Sequence, residues 1–342
     1  MKYEEALRHV SRPGGPLHGS YLYALSGMTV AQLDLFRDQW AEMTTERRRQ
    51  VIRQLVELTE ASFEVNFDPI FILAMSDEDS VVRTAGIEGL WENEDLRLIA
   101  PLTYLLESDE SASVRAAAAT ALGRYVLLGE LEKIDKVSAA SVEEKLRQVI
   151  DNPDEVIEVR RRAVESIAYS SSEEVRRIIR EAYHSDDEKM QGSALFAMGR
   201  SADPTWRHVL LHELQNENPE LRFEAARACG ELELTRAVAR LGRMALNDPD
   251  AEVQQAAVWA LGSIGGSEAR RILVQCYESD SEALSEAAGD ALDEIDMSGE
   301  ATMIRLYDEA EYDEYDDLEE DEDQDGYEDE DEYDWTDDED DL

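Results

Sequence analysis

Apolar and small residues recur along this chain at the i, i+3, i+4, i+7, i+8 spacing of one helix face. From Val253 the stripe runs through Ala256, Ala257, Ala260, Leu261 and Ile264. From Val114 it runs through Ala117, Ala118, Ala121, Leu122 and Tyr125, and from Leu284 through Ala287, Ala288, Ala291, Leu292 and Ile295. The same anchor returns seven times between Val82 and Leu292, and the residues that follow it are Arg83, Arg115, Arg160, Gln191, Arg222, Gln254 and Ser285. Their spacings are 32, 45, 31, 31, 32 and 31 residues. A period of that size predicts stacked repeats, in which each unit buries its apolar face against its neighbours. Alanine is the best helix former, and its small side chain lets adjacent helices approach closely.

A polar turn precedes each anchor helix, as in SDEDS (76–80), NPDE (152–155), NENPE (216–220) and NDPD (247–250). Asp, Asn and Ser in such turns accept hydrogen bonds from the first amides of the helix. Asp77, Asp109, Asp154, Asn216 and Asp248 hold equivalent positions six residues before Arg83, Arg115, Arg160, Arg222 and Gln254. A second apolar helix separates the anchors, at 98–106, 175–183, 206–214, 237–245 and 269–277. Upstream, 44–60 reads as one more anchor helix, with 29–43 as its partner. With no strand signal, the expectation is an all-α, right-handed solenoid of about eight helix pairs over residues 29–307. Residues 1–28 are expected to be an irregular lead-in. The long spacing holds an insertion, 129–139, expected as a loop before a helix at 141–150.

LLESDESASVRAAAATALG and ALNDPDAEVQQAAVWALGSIG resemble HEAT repeats of the short, phycobilin-lyase-like type: an Asp in the turn, then Val-Arg, Ala-Ala and Ala-Leu-Gly. The resemblance spans about residues 29–296. It implies that the second helix of each pair lines a concave face, and that the turn Asp and Arg tie successive units together. Arg83, Arg115, Arg160 and Arg222 fit that ladder, whereas Gln191, Gln254 and Ser285 depart from it.

Charge changes the functional picture. The 342 residues carry a net charge of −47. From Asp308 to Leu342 there are 24 acidic residues in 35 and no Lys or Arg, so the preceding 307 residues carry −23. That sign excludes nucleic-acid binding through phosphate neutralisation and adsorption to an anionic membrane. Like charges at nearly every position predict a disordered tail over 308–342. Tyr312, Tyr315, Tyr327, Tyr333 and Trp335 punctuate it, offering ring faces to an Arg-rich partner. No apolar run reaches the length of a membrane span, and the first residues do not read as a secretory signal. Cys229 and Cys276 occupy apolar helix positions, as buried small hydrophobes in a reducing, cytoplasmic setting.

Candidate chemistry is sparse. Asp321, Asp323, Asp325, Gly326 and Glu332 fit a calcium-loop spacing, but an acidic tract matches that template by chance. Glu328 also stands where the loop needs an aliphatic residue, so only weak divalent binding is expected. His208 and His212 are one helical turn apart and read as solvent-facing. Deoxyhypusine hydroxylases, a HEAT-like enzyme family, set several His-Glu pairs around two irons; the single pair here, His212–Glu213, argues against that activity. Trp40, Trp91, Trp206 and Trp259 read as core. No catalytic, cofactor-binding or metal-binding residues are assigned, and no cofactor is expected. The reading is a non-enzymatic, cytoplasmic scaffold whose concave face and acidic tail engage a basic protein. The alternative is an accessory or lyase-like factor acting on an enzyme or chromophore-bearing complex. Oligomeric state is open, a monomer being compatible with the pattern.

Overall fold

The computed structural model describes residues 2–62 and 64–312, with helical backbone alone from Ser298 onward. Among the described residues there are α-helices and short 3-10 turns, and no strand. Two short helices, α1 (Tyr3–Val10) and α2 (Gly19–Tyr23), come first. Eight pairs follow: α3 (Val30–Glu42) with α4 (Thr45–Ala61), α5 (Asp68–Ala74) with α6 (Ser80–Glu88), α7 (Ile99–Ser108) with α8 (Ala112–Glu130), and α9 (Lys136–Ile150) with α10 (Ile157–Ile167). The rest are α11 (Glu173–Tyr183) with α12 (Glu188–Arg200), α13 (Arg207–Glu213) with α14 (Pro219–Glu231), α15 (Val238–Asn247) with α16 (Ala251–Ile264), and α17 (Gly266–Tyr277) with α18 (Glu282–Tyr312). This is an α-solenoid.

The turn chemistry expected from sequence sets the helix starts. Asp79, Asp187 and Asp250 cap α6, α12 and α16 by accepting from the amides of Val82, Met190 and Val253. Two residues before the cap a second side chain folds the turn: Asp77, Asp109, Asn216 and Asp248 accept from the amides of Asp79, Ser111, Asn218 and Asp250. These local bonds satisfy donors that a helix leaves open at its N-terminus.

Second helices of successive pairs pack directly on one another, from α4 and α6 through α14 and α16, and more extensively than the first helices do. Glycine allows the approach: a Cβ on Gly199 would lie 2.9 Å from Ala228 Cα, and one on Gly230 2.9 Å from Ala260 Cα. The closer layer of a curved stack is its inner side, so the second helices line the concave face. The core runs lengthwise between the two layers, through residues such as Phe71, Leu122, Leu146, Ile179, Leu210 and Leu261, all fully buried. Cys229 and Cys276 belong to it as free thiols, and burial pushes both thiols up, Cys229 to about 12.

Three expectations need correction. Residues 1–28 are partly helical: α1 buries Tyr3, Ala6, Leu7 and Val10. The buried guanidinium of Arg47 on α4 holds this segment by donating to the carbonyls of Val10 (2.7 Å), Gly15 (2.7 Å) and His9 (3.2 Å). The 129–139 insertion is mostly helix, since α8 runs to Glu130 and α9 begins at Lys136 behind the Asp135 cap. Its extra length extends the helices, with Leu128 and Ala139 buried. The compact unit ends at Ile295, short of residue 307, after the stripe's last buried positions, Leu284, Ala288 and Ala291. The acidic segment from Asp308 begins within α18, and residues 313–342, with their calcium-loop spacing, lie outside the described residues.

Candidate binding face

Two polar systems run along the stack. The first follows the turns. Arg83 grips Asp109 of the next unit through Nε and Nη2, both at 2.8 Å, while its Nη1 donates to the Asp77 carbonyl of its own turn (2.9 Å). Arg222 does the same with Asp248 (2.9 and 2.8 Å) and the Asn216 carbonyl (2.9 Å). Arg115 holds its own turn at the Asp109 carbonyl (2.7 Å), but its partner in the next unit is Glu155, at 2.9 and 2.7 Å, with Asp154 left aside. Arg48 extends the ladder upstream to Asp77 (2.9 Å). At Gln191 and Gln254 the inner half survives alone, each amide donating to the carbonyl six residues back (2.8 and 2.9 Å). Arg160 falls outside the expected ladder: its Nε donates to the Ile150 carbonyl of its own unit. The equivalent position in the next turn is Ser185, which offers no carboxylate.

The second system is the concave face itself. Three hollows of about 340, 480 and 600 Å³ adjoin along it, each sharing wall residues with the next. Thr84, Glu88 and Ser113 join the first to the second, and Thr120 with Arg162 joins the second to the third. Their walls come from the second helices, α4 through α16, and form one continuous groove. Trp91 and Trp259, expected in the core, are 42% and 37% exposed; Trp91 lines the groove, while Trp40 and Trp206 are buried.

Most cations of this face are already engaged. Arg49 is paired with Asp79 and Arg162 with both Glu158 and Glu165. Arg161 bonds Glu158 and the Ser193 hydroxyl, and Arg124 donates to the carbonyls of Leu90 and Asn93. Arg200 and Arg227 stack on Phe196 and Trp259, each 5.0 Å from the ring centre, and converge on Glu231. Among the described residues, Glu88, Glu220, Glu224 and Glu252 of the groove make no ion pair, and neither do Arg53 and Lys189. The surplus charge is therefore negative. Burial, with Glu60 nearby, pushes the Glu88 carboxyl up. Burial pushes Glu224 to about 7, with Glu165 and Glu231 adding and Arg227 and Arg161 opposing.

Sequence reasoning missed this inner network. The run Arg160–Arg161–Arg162, and Arg200 and Arg227 on successive helices, were its available signals. The histidine pair takes no part in it: α13 places His208 and His212 at the surface. Glu213 turns inward to accept from Tyr183 Oη (2.5 Å) and Asn216 Nδ2 (2.6 Å). Among the described residues no group of three or more His, Cys, Asp or Glu is placed to hold a metal ion, and no helix is long and apolar enough to cross a membrane.

A family model for HEAT repeats matches residues 68–143 and 207–293. It does not single out the phycobilin-lyase-like subtype. No curated protein matches the sequence. Among solved structures, yeast importin-β is similar at 12% identity and a TM-score of 0.51, over 86% of this chain and 46% of that one. Human deoxyhypusine hydroxylase in complex with glycerol is similar at 17% identity and a TM-score of 0.34, over 86% of this chain and 96% of the other. A designed armadillo repeat protein follows at 19%, with a TM-score of 0.35, over 58% and 99%. At these identities the likeness is one of fold. With the repeat spacing, the paired helices and the turn ladder, the family match marks the chain as one built of HEAT repeats over residues 68–143 and 207–293.

Proposed function

We propose that this protein is a non-catalytic, cytoplasmic scaffold that binds a basic protein partner along its concave groove, with the acidic C-terminal segment adding long-range attraction. The observation that carries the reading is the charge balance of the groove. Apart from Arg53, its arginines are spent on internal contacts, while Glu88, Glu220, Glu224 and Glu252 make no ion pair among the described residues. A trough of that length and sign suits an extended basic segment, since HEAT-type solenoids present concave surfaces for such contacts. The net charge of −47 would speed encounter with such a partner.

The test is a pull-down from lysate at about 0.05 and 0.5 M salt, with the full chain and with a chain lacking 308–342, followed by titration of each recovered partner. Attraction over a distance is screened by salt. Basic partners retained by both chains at low salt, with affinity falling as salt rises, are expected. Partners that bind only the tail, or that are acidic or neutral, would refute the groove reading.

A further inference from the structure

The largest of the three hollows lies between α8, α10, α12, α14 and α16, has a volume of about 600 Å³ and carries three features that packing does not explain. First, Glu224 lines it with Oε2 buried and without a hydrogen-bond partner. A desolvated carboxyl oxygen with no donor is unfavourable, and folded proteins rarely leave one so. Second, Gly192 stands in the wall beside it, inside α12. A glycine within a helix costs about 1 kcal/mol relative to alanine. At Gly199 and Gly230 close backbone contact accounts for that cost. At Gly192 a Cβ would meet only Leu221 Cδ2 at 3.8 Å and Glu224 Cγ at 3.9 Å, which is ordinary contact. Neighbouring backbone does not require the missing side chain, and its absence keeps the hollow open. Third, Phe196 and Phe223 supply apolar wall next to the carboxyl.

We propose that this hollow seats one basic side chain, Lys or Arg, of the partner's extended segment, with Glu224 as its counter-charge and the two phenylalanines along its methylene stem. The inference rests on the groove being the binding face and names the position where a cation is read. Five carboxylates line the hollow against three cations. Two of those cations, Arg161 and Arg162, are committed to Glu158, Glu165 and Ser193. The charged groups around Glu224 are Arg161 and Glu165 on α10, Lys189 on α12, Arg227 and Glu231 on its own helix, and Glu252 on α16. Burial, with Glu165 and Glu231 adding and Arg227 and Arg161 opposing, pushes its carboxyl up to about 7. A guanidinium or ammonium arriving beside it draws off that proton, which goes to solvent, and leaves an ion pair.

The test uses the full-length protein and a fluorescent peptide of alternating Arg and Gly residues, with a benzophenone beside the central Arg, at pH 6 and pH 8. With Glu224 titrating near 7, the native chain should bind up to about tenfold tighter at pH 8 than at pH 6. Glu224→Gln should bind more weakly at pH 8 and lose the difference. Gly192→Leu, which fills the hollow but keeps the carboxyl, should also weaken binding while circular dichroism stays native. Photo-crosslinks should fall on α10, α12, α14 and α16. Crosslinks elsewhere on the second helices, with Glu224→Gln matching the native chain, would overturn the seat and leave the groove intact. Crosslinks confined to 308–342 would overturn both.

Discussion

Replacing Arg83 by Gln, Asp109 by Asn, and both together isolates one rung of the turn ladder. The side chains are 9% and 5% exposed and share two charge-assisted bonds of 2.8 Å. Breaking a buried pair from one side costs about 3–5 kcal/mol, because it strands the other charge. Arg83→Gln should fall below that range, at roughly 2–3 kcal/mol, since a Gln there can still donate to the Asp77 carbonyl as Gln191 and Gln254 do to theirs, worth about 1 kcal/mol. Asp109→Asn keeps an acceptor for the Ser111 amide but strands the guanidinium, at about 3 kcal/mol. The double variant reproduces the Gln191–Asn216 combination that this chain already carries between its fifth and sixth pairs. It should cost only about 1–2 kcal/mol, giving a coupling of about 3–5 kcal/mol. A stack of repeats need not unfold in one step, so the readout is native-state hydrogen exchange of α6–α8 amides alongside urea melting. Burial pushes the Asp109 carboxyl up, but Arg83, the Ser111 amide and Arg115 outweigh it and hold it below the usual range. Its stabilisation is therefore present above the ordinary carboxylate pKa and is lost as pH falls below about 4. A coupling under about 0.5 kcal/mol would refute the rung as a tie between units.

Other expectations follow from the same geometry. Gly230→Ala places a Cβ 2.9 Å from Ala260 Cα and 2.7 Å from the Trp259 ring; overpacking of about 1–3 kcal/mol outweighs the helix gain, and the urea midpoint should drop. Arg47→Met strands the carbonyls of His9, Val10 and Gly15, so limited proteolysis should cut within 11–18 at rates at least several-fold above native; unchanged rates would show that the lead-in is held by α1 packing alone. Glu224 holds its proton up to about 7 when folded but only to about 4.3 when unfolded, so stability falls as pH rises between those values. Glu224→Gln should thus be more stable than the native chain by on the order of 1–3 kcal/mol at pH 8, with little difference near pH 4; parallel melting curves at both pH values would contradict this.

Period and small-residue stripes made the helix pairs legible, because stacking at constant pitch repeats the same steric demand at Ala118, Ala257 and Ala288. The turn side chains were legible too, since an Asp two residues before an N-cap makes a local bond that depends on nothing distant. Arg160 was misread because a ladder bond needs both ends. Arg83, Arg115 and Arg222 face an acid in the next turn, whereas Arg160 faces Ser185. Trp91 and Trp259 share the apolar pattern of buried tryptophans, and only the curvature of the stack decides that their edge of the helix is open. The groove hollows were illegible for the same reason: each is walled by residues about 30 positions apart, and Gly192 looks like any helical glycine until its neighbours are placed.

Junction chemistry and the hollow are connected. Turn-side ion pairs tie the first four units together through Arg48, Arg83 and Arg115, then lapse at Arg160 and Gln191, return at Arg222 and lapse again at Gln254. At the first two of these lapsed junctions other bonds bridge the units. On the inner face Arg161 and Glu165 clasp Ser193 (2.9 and 2.6 Å). On the outer side Arg176 reaches Asp203 (2.6 Å) and Tyr183 reaches Glu213. In a solenoid each interface contributes separately to stability, so a junction can change its chemistry without disturbing the next. These two junctions wall the hollow of about 600 Å³, with Gly192 directly after the Gln191 departure, and the third lapse, at Gln254, lies beyond it. Local exchange of ladder bonds for an inner clasp places ionised groups in the concave wall, where they fix the positions of Glu165 and Ser193 around Glu224. In the proposed binding mode the lapses at Arg160 and Gln191 coincide with the seat for the partner's side chain, between the rungs of Arg115 and Arg222.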